Sequence, residues 1–206
     1  MPDDVIVYIV DDDHSVRKAT SRLLKTAGFK VLAFESAAEL LGYPMPESAG
    51  CLILDYQLPG RNGIELQKDL IAAGIALPVV FLSGKGDIPI SVTAMKQGAV
   101  DFLPKPVDDQ LLVETVRQAI AAHRLELIRI IDIKEFKGKL SFLTRREYEV
   151  LLLVIEGLLN KQIAARLGVT EATIKVHRGR MMEKIGVDSV AELVRLCERG
   201  GIARTS

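Results

Sequence analysis

The sequence predicts two domains: an α/β domain built on a doubly wound parallel sheet, followed by a small all-α domain of four short helices. The 206 residues are 49% hydrophobic and 26% charged, typical of a chain that buries a core and long enough for two small domains. Apolar, β-branched runs alternate with helix-length segments only in the first half of the chain. Formal charge divides at a similar point, because residues 1–124 carry a net charge of −4 and residues 125–206 a net charge of +4.

The composition argues against several classes of protein. The apolar share excludes a disordered chain, and the richest apolar stretch, residues 150–159, is far shorter than the ~20 residues of a membrane-spanning helix. The apolar run at residues 5–10 has no basic residue before it, unlike a signal peptide. Cys51 and Cys197 are too few and too far apart for a disulfide framework or a zinc site. We therefore expect a cytoplasmic protein that does not associate with membranes.

The first half of the chain alternates predicted strands and helices. Residues 5–10 form a continuous apolar run, as expected of a strand covered on both faces. The next segment carries an apolar helical stripe that Gly28 closes, and Ser36 with Glu39 has the form of a capping box. The predicted strands are residues 5–10, 30–34, 51–54, 79–82 and 100–103, and the predicted helices are residues 14–27, 36–41, 63–73, 88–97 and 108 onward. This alternation predicts right-handed crossovers and a parallel sheet with helices on both faces.

Polar residues follow four of these strands, at the sheet edge where open parallel sheets bind ligands. They are Asp11, Asp12 and Asp13 after the first strand, Asp55 after the third, Ser83 after the fourth and Lys105 after the fifth. Carboxylates gathered in one crevice repel each other, and Mg²⁺ is the hard cation that a few carboxylates and water can hold. A carboxylate is also a nucleophile toward phosphorus, and Lys105 would stabilise the phosphoryl oxygens. Each residue alone would more often be a helix cap or a surface lysine, but together they favour a site.

The second half reads as four short helices. Thr144 with Glu147 and Ser189 with Glu192 have the capping-box pattern for the first and last of them. The two middle helices are predicted at residues 161–167, capped by Asn160, and at residues 171–185, capped by Thr170. Two helices joined by a tight glycine turn form a helix-turn-helix, whose second helix lies in the DNA major groove.

Basic residues concentrate on that pair of helices. Residues 160–184 contain six basic and two acidic side chains, enough to account for the positive charge of the whole half. Basic side chains at a groove neutralise phosphates, and Lys or Arg can pair with guanine edges. The structural alternative is a solvated amphipathic helix in a small bundle.

Four motifs in the first half resemble the receiver domain of two-component response regulators: Ile-Val-Asp-Asp-Asp at residues 9–13, Leu-Asp at 54–55 with Pro-Gly at 59–60, Leu-Ser-Gly at 82–84, and Phe-Leu-Pro-Lys-Pro at 102–106. The resemblance implies a (βα)5 flavodoxin-like fold in which Asp55 accepts a phosphoryl group from a sensor histidine kinase. It also implies that Asp12, Asp55 and the main-chain carbonyl of Gln57 bind Mg²⁺, with Asp11 helping through water. Ser83 and Phe102 match the family's hydroxyl and aromatic switch pair.

The runs at residues 86–89 and 94–99 resemble the FixJ-like branch of these regulators. Lys85 stands where that branch often has histidine, which is a departure in the switch loop.

The second half resembles the LuxR-type DNA-binding domain over residues 140–200, through motifs at residues 143–147, 160–164, 167–169, 173–177 and 184–185. Carried over by position, Lys175 and Val176 would reach base edges. The remaining contacts would come from Thr173, His177 and Arg178 to bases or backbone, and from Asn160 and Lys161 to phosphates. Gly179 departs from the family, whose members often carry a longer side chain there.

Together the two resemblances imply a transcriptional response regulator of the NarL/FixJ family. Its partners would be a sensor histidine kinase, double-stranded promoter DNA, RNA polymerase and, when phosphorylated, a second copy of itself. It would not be an enzyme beyond phosphoryl transfer to and from its own Asp55. The expected boundaries are a receiver at residues 1–122, a linker at 123–140 and a DNA-binding domain at 141–206. We expect the last receiver helix to extend through Ile131 and break before Gly138, with its apolar residues packed on a domain or on a second copy.

Two other interpretations remain at this point. In a haloacid-dehalogenase-like phosphatase, Asp11 would be the nucleophile of an Asp-x-Asp pair with Asp13, and Asp55 would have no role. Alternatively, the chain would be a regulator that works without phosphorylation, whose receiver serves only as an interaction module.

Overall fold

The chain forms two compact units, Met1–Leu127 and Ile128–Ser206. The structure, a computed structural model, describes residues 5–46, 48–84 and 88–202, without the side chains of residues 88–90. Lys85 and the first residues of the motif at 86–89 therefore lie outside the described residues.

In the first unit, strands and helices alternate as the sequence predicts. The strands are β1 (Ile6–Val10), β2 (Lys30–Phe34), β3 (Gly50–Asp55), β4 (Gln57–Leu58), β5 (Arg61–Asn62), β6 (Val79–Ser83) and β7 (Asp101–Pro104). The helices are α1 (His14–Thr26), α2 (Ala37–Leu41), α3 (Gly63–Ala72), α4 (Ile88–Lys96) and α5 (Asp109–Leu140), the last of which continues into the second unit.

Five strands of the described residues form one parallel sheet in the order β2-β1-β3-β6-β7. The predicted α/β doubly wound fold is confirmed. The strand order reverses between β1 and β3, the position at which ligands bind in such sheets. The register pairs Val10 with Leu54, Asp55 with Leu82, and Ser83 with Pro104, so the carboxyl ends of β1, β3, β6 and β7 meet at one edge.

The central strands are buried on both faces because successive side chains point to opposite sides of the sheet. Val10, Leu54 and Phe81 belong to the hydrophobic core on one face. Ile9 and Leu82 belong to the core on the other face. This explains why β1, β3 and β6 are continuous apolar runs rather than alternating ones.

The second unit is all-helical, as predicted. After the end of α5 it contains α6 (Arg145–Ile155), α7 (Asn160–Leu167), α8 (Glu171–Ile185) and α9 (Val190–Arg199), which share one hydrophobic core. The predicted caps Thr144, Thr170 and Ser189 all accept a backbone N–H with their side chains. The predicted cap at Asn160 is wrong. Asn160 is already helical, and Leu159 occupies the N-cap position, where its main-chain N–H donates to Gln162 Oε1 at 2.8 Å.

The predicted break in α5 before Gly138 is also wrong, because the helix runs through Gly138 to Leu140. Phe136, only 3% exposed, packs in the core of the second unit, and Leu140 packs against the same core. Burial of these side chains outweighs the roughly 1 kcal/mol that a helix-interior glycine costs. Phe136 thus packs on a domain, as expected for this segment, whereas Ile128 and Ile131 are exposed.

Replacing Phe136 with alanine should destabilise the second unit by about 3–5 kcal/mol, because it empties a buried aromatic site. Hydrogen exchange of the full chain, measured by mass spectrometry, should show protection in α6 and α9 falling by roughly two to four orders of magnitude, with β1 and β3 unchanged. The exposed Ile131→Ala is the control and should change little. Unchanged protection in α6 would contradict the placement of Phe136 in this core.

An ion pair between the exposed Lys184 and the buried Glu147 joins the end of α8 to the start of α6. The Lys184 ammonium donates to Glu147 Oε2 at 2.6 Å, and the same oxygen accepts the Thr144 N–H at 2.8 Å. The hydrogen bond from Lys184 holds the pKa of the buried Glu147 carboxyl below its ordinary value of 4.5, against the opposing effect of burial. Because the folded pKa is lowered, Glu147 stabilises the fold fully above its unfolded pKa, and this stabilisation is lost as pH falls through the folded pKa.

Glu147→Gln should therefore remove part of the acid sensitivity of the second unit. The chain contains no tryptophan, so a Tyr148→Trp background gives a fluorescence reporter in α6 for urea unfolding. Above about pH 6 the variant should be less stable by roughly 1–3 kcal/mol, and the difference should shrink below pH 4.5. Glu149→Gln, in a more exposed pair with Arg146, is the matched control. A pH-independent difference would show that the charge of Glu147 is not the stabilising feature.

Candidate functional site

Three carboxylates meet at the carboxyl edge of the sheet in the first unit. Asp11 and Asp12 directly follow β1, and Asp55 is the last residue of β3. Each offers an oxygen, and the three oxygens lie within 4.8 Å of one another. Asp11 and Asp55 are only 2% and 8% exposed, whereas Asp12 faces solvent.

Lys105, just after β7, neutralises part of this charge. Its ammonium donates to Asp11 Oδ2 at 2.7 Å and to Asp55 Oδ2 at 2.9 Å. Its main-chain N–H donates to Ser83 O at 2.7 Å, which ties the lysine to the end of β6. The bond that follows, Lys105–Pro106, is a cis peptide. Four predicted residues, Asp11, Asp55, Ser83 and Lys105, therefore lie at one edge of the sheet.

Burial and ion pairing have opposite effects on the pKa values of Asp11 and Lys105 at this site. Burial raises the pKa of the Asp11 carboxyl above its ordinary value, although the hydrogen bond and charge of Lys105 act in the other direction. Burial alone would lower the pKa of Lys105, but its hydrogen bonds to Asp11 and Asp55 outweigh that effect and leave it raised. Lys105 is therefore held in its charged form.

The charge of the group leaves room for a cation. When ionised, the three carboxylates outnumber the one ammonium, so a net charge of −2 is concentrated in a partly buried crevice. Oxygen ligands of this kind, with one exposed carboxylate open to water, are typical of a site for a hard divalent cation. The acidic group Asp11, Asp12 and Asp55 thus has the form of a metal site.

The backbone around Asp55 is fixed by its neighbours. The Gln57 N–H donates to Asp55 Oδ1 at 3.1 Å, which orients the carboxylate. At Gly63, the first residue of α3, a Cβ atom would come within 2.8 Å of Asp55 O and 2.7 Å of Phe81. Glycine is therefore required for α3 to begin this close to the end of β3.

Asp13 does not join the acidic group. Its Oδ1 accepts the N–H groups of Ser15 at 2.7 Å and Val16 at 3.2 Å, so it is the N-cap of α1. Those hydrogen bonds lower the pKa of the Asp13 carboxyl. A phosphatase of the Asp-x-Asp type would need Asp13 beside the nucleophile as a proton donor, and this side chain is turned to the helix instead.

The predicted switch residues lie near the site. Ser83 is buried at the end of β6. Phe102, on β7, is partly buried and contacts Tyr56 edge-on, with ring centroids 6.0 Å apart, and Phe81 at 6.1 Å. Nothing in the sequence motifs indicates that Tyr56 is a neighbour of Phe102.

Arg17 is a second residue that the sequence analysis missed. Its Nη1 donates to the main-chain oxygen of Asp11 at 2.6 Å, and its Nη2 lies 3.8 Å from Glu35 Oε2. The sequence could have indicated this contact, because Arg17 lies on the first turn of the helix that follows Asp11, Asp12 and Asp13. It fixes the backbone that carries Asp11 and Asp12.

A separate surface lies on the helix-turn-helix of the second unit. Gly168 ends α7 in the left-handed conformation, at φ +67°, and allows the tight turn into α8. Ile174, Met181 and Ile185 of α8 are buried. The side chains of Lys175, Val176 and Arg180 are exposed on α8, as is that of Lys161 on α7.

Val176 is 52% exposed although it is apolar, and it stands among basic residues. An exposed apolar side chain is able to contact thymine methyl groups when it lies in a DNA major groove. Next to it, His177 and Thr173 are half-buried, and Thr173 Oγ1 lies 2.8 Å from Thr170 Oγ1. The helix face therefore offers both charge and an apolar contact.

Asn160 and Arg178 are linked to each other. Arg178 Nη1 donates to Asn160 Oδ1 at 2.9 Å, which joins the start of α7 to the middle of α8. Farther along α8, a Cβ atom at Gly179 would meet nothing within 4 Å. No contact inside the protein accounts for glycine at that position.

Both units match known protein families. Residues 7–117 match the response regulator receiver domain, and residues 141–197 match the LuxR family of bacterial regulatory proteins. The chain is 42% identical over 198 residues to nodulation protein W of Bradyrhizobium diazoefficiens, covering 96% of this chain and 87% of that protein. It is 39% identical over 204 residues to the transcriptional regulatory protein FixJ of Azorhizobium caulinodans, covering 98% and 96%.

Among solved structures, the response regulator StyR superposes with a TM-score of 0.81 at 44% identity, over 95% of this chain and 99% of that one. Full-length FixJ from B. japonicum gives a TM-score of 0.56 at 36% identity, over 96% and 98%. The haloacid-dehalogenase-like interpretation is thereby excluded. The chain belongs to the two-component response regulators with a LuxR-type DNA-binding domain, and is a transcription regulator of the FixJ-like kind rather than a catalytic enzyme.

Proposed function

We propose that Asp55 is the phosphoacceptor and that its phosphorylation by a sensor histidine kinase promotes dimerisation and promoter binding. The observation that supports this most strongly is the bridge from one ammonium, Lys105 Nζ, to both Asp55 and Asp11. We assign the receiver to residues 1–122, the linker to 123–140 and the DNA-binding domain to 141–206, in a protein that works in the cytoplasm with RNA polymerase. In the part of the chain that the structure describes, no helix is both long and apolar enough to cross a bilayer.

The chemistry is an in-line displacement at phosphorus. A carboxylate oxygen of Asp55 forms the new O–P bond while the P–N bond to the kinase histidine breaks and the imidazole leaves. Asp12, Asp55 and the main-chain carbonyl of Gln57 would hold Mg²⁺, with Asp11 acting through water, and that ion supplies charge neutralisation to the phosphoryl oxygens. Lys105 Nζ already lies 2.9 Å from Asp55 Oδ2. Its ammonium would donate a hydrogen bond to a phosphoryl oxygen and stabilise the negative charge there.

Ser83 and Phe102 would then change conformation in response to the added phosphoryl group. Phosphorylation adds nearly two negative charges at Asp55, and the hydroxyl of Ser83, the last residue of the neighbouring strand β6, would approach them. The space that Ser83 leaves is filled by rotation of Phe102. To move the population from 1:99 to 99:1, phosphorylation must favour the active state by about 5.5 kcal/mol.

Asp55→Asn should abolish phosphoryl uptake from an acyl phosphate and the increase in DNA affinity that follows it. Intact-protein mass spectrometry measures uptake, and fluorescence anisotropy measures DNA binding. Asp13→Asn is the matched control, because asparagine also caps helices and Asp13 lies outside the acidic group. Normal activation of the Asp55→Asn chain by acyl phosphate would refute the assignment and favour a phosphorylation-independent regulator.

For the second unit we propose that α8 lies in the major groove, with Lys175 and Val176 at base edges. Thr173, His177 and Arg178 would contact bases or backbone, and Asn160 and Lys161 would contact phosphates. A dimer would place two such helices on half-sites about one DNA turn apart.

Lys175→Ala should weaken binding to the preferred DNA by roughly 10–100-fold and relax the base preference at one position of each half-site. Lys161→Ala should weaken binding to all sequences alike. It should also reduce the slope of the logarithm of the binding constant against the logarithm of salt concentration by about one. Anisotropy with DNA selected from a random library by the phosphorylated protein measures both. Lys68→Ala, an exposed lysine of α3, is the control. Equal behaviour of Lys175→Ala and Lys161→Ala across sequences would contradict base readout by Lys175.

A further inference from the structure

Arg17 is a nearly buried cation beside the acidic group. Its side chain is only 14% exposed, although it belongs to the first turn of α1. Side chains of a helix lean toward its N-terminus, so Arg17 reaches back to the segment that precedes α1. There its Nη1 donates to the main-chain oxygen of Asp11 at 2.6 Å. Its pair with Glu35 is longer, at 3.8 Å, and that carboxylate is 67% exposed, so the contact with Asp11 O is the stronger one.

The Asp11 oxygen belongs to the peptide unit that joins Asp11 to Asp12. A peptide unit is planar, so a hydrogen bond that holds its oxygen also holds the orientation in which the chain enters Asp12. The next peptide unit is held as well, because the Asp13 N–H donates to Asp11 Oδ1 at 2.9 Å. Asp12 therefore lies between two fixed peptide units, while its own carboxylate is exposed.

This restraint matters because the carboxylates of Asp11, Asp12 and Asp55 repel one another, with oxygens that lie within 4.8 Å. Before a cation binds, the exposed Asp12 would relieve the repulsion by turning its segment away from the other two. A backbone that cannot turn keeps the carboxylate in place. Less order then has to be created when the ion binds, and affinity rises for that reason.

We propose that Arg17 is a positioning residue for Mg²⁺, which raises the Mg²⁺ affinity of the acidic group by holding the peptide unit between Asp11 and Asp12. Arg17 is a cation and is not itself a ligand of the ion. The inference rests on the proposed function, in which Asp12 and Asp55 hold Mg²⁺.

The sign of the effect separates positioning from charge. If Arg17 acted only through its positive charge, removing it would make Mg²⁺ bind more tightly, because like charges repel. If it acts by positioning Asp12, removing it makes Mg²⁺ bind more weakly. Lys18, the next residue on α1, is exposed and provides a control for the loss of one positive charge.

The test is an NMR titration of the isotope-labelled full chain with Mg²⁺, followed at the amides of residues 11–13 and 55–57. Arg17→Met keeps most of the aliphatic stem but removes the guanidinium. We expect its dissociation constant for Mg²⁺ to rise by about tenfold, an effect typical of residues that orient metal ligands. Lys18→Met should bind Mg²⁺ as tightly as the wild type does, or slightly more tightly.

Phosphorylation by an acyl phosphate gives a second measurement. The Mg²⁺ concentration that gives half the maximal rate should also rise by about tenfold in Arg17→Met. The maximal rate at saturating Mg²⁺ should be retained, because Asp55 and Lys105 are unchanged. Arg17→Gln, whose side chain is shorter and uncharged, is a second variant should Arg17→Met disturb folding, and we expect the same loss of affinity.

Unchanged or higher Mg²⁺ affinity in these Arg17 variants would overturn the inference, as would an equal loss of affinity in Lys18→Met. Neither result touches the proposed function as long as the wild-type chain binds Mg²⁺. A wild-type chain whose amides at residues 11–13 and 55–57 do not respond to Mg²⁺ would overturn the proposed function and the inference together.

Discussion

Two carboxylates buried at the end of a β-sheet need a positive charge between them, and Lys105 provides it. Its ammonium lies 2.7 Å from Asp11 and 2.9 Å from Asp55, so three residues distant in sequence are fixed by one shared charge. Removing one partner from such a group leaves an uncompensated buried charge. Lys105 thus holds Asp11 and Asp55 in one geometry, and the exposed Asp12 lies beside them.

The parallel sheet explains why this geometry could be predicted from sequence. Apolar runs fix where each strand ends, and parallel pairing then brings Asp55, Ser83 and Lys105 to one edge whatever the details of the helices. The same reasoning could not separate Asp13 from its two neighbours. All three are aspartates after one strand, and only the direction of α1 makes Asp13 a cap and leaves Asp11 and Asp12 in the site.

Other features depend on packing that periodicity does not encode. The sequence predicts a helix break before Gly138, but Phe136 anchors the last turns of α5 in the core of the second unit. Asn160 belongs to a residue type that commonly caps helices, but it lies inside α7. Gln162 accepts the Leu159 N–H, and the Asn160 side chain accepts a hydrogen bond from Arg178 of the next helix. In the sequence Gly63 looks like an ordinary first residue of a helix. Only the structure shows that a Cβ atom there would come too close to Asp55 O. Each of these depends on a neighbour from another element.

Covalent capture of phosphorus by the Asp55 carboxylate is the central step of the proposed function. The most direct measurement starts by phosphorylating the full chain with an acyl phosphate donor and Mg²⁺. The aspartyl phosphate formed on the protein is then reduced with borohydride, and peptide mass spectrometry locates the altered residue. We predict that the aspartate at position 55 alone is converted, and that conversion requires Mg²⁺. Conversion at Asp11 or Asp12, or at Asp55 equally well without a divalent cation, would contradict the account.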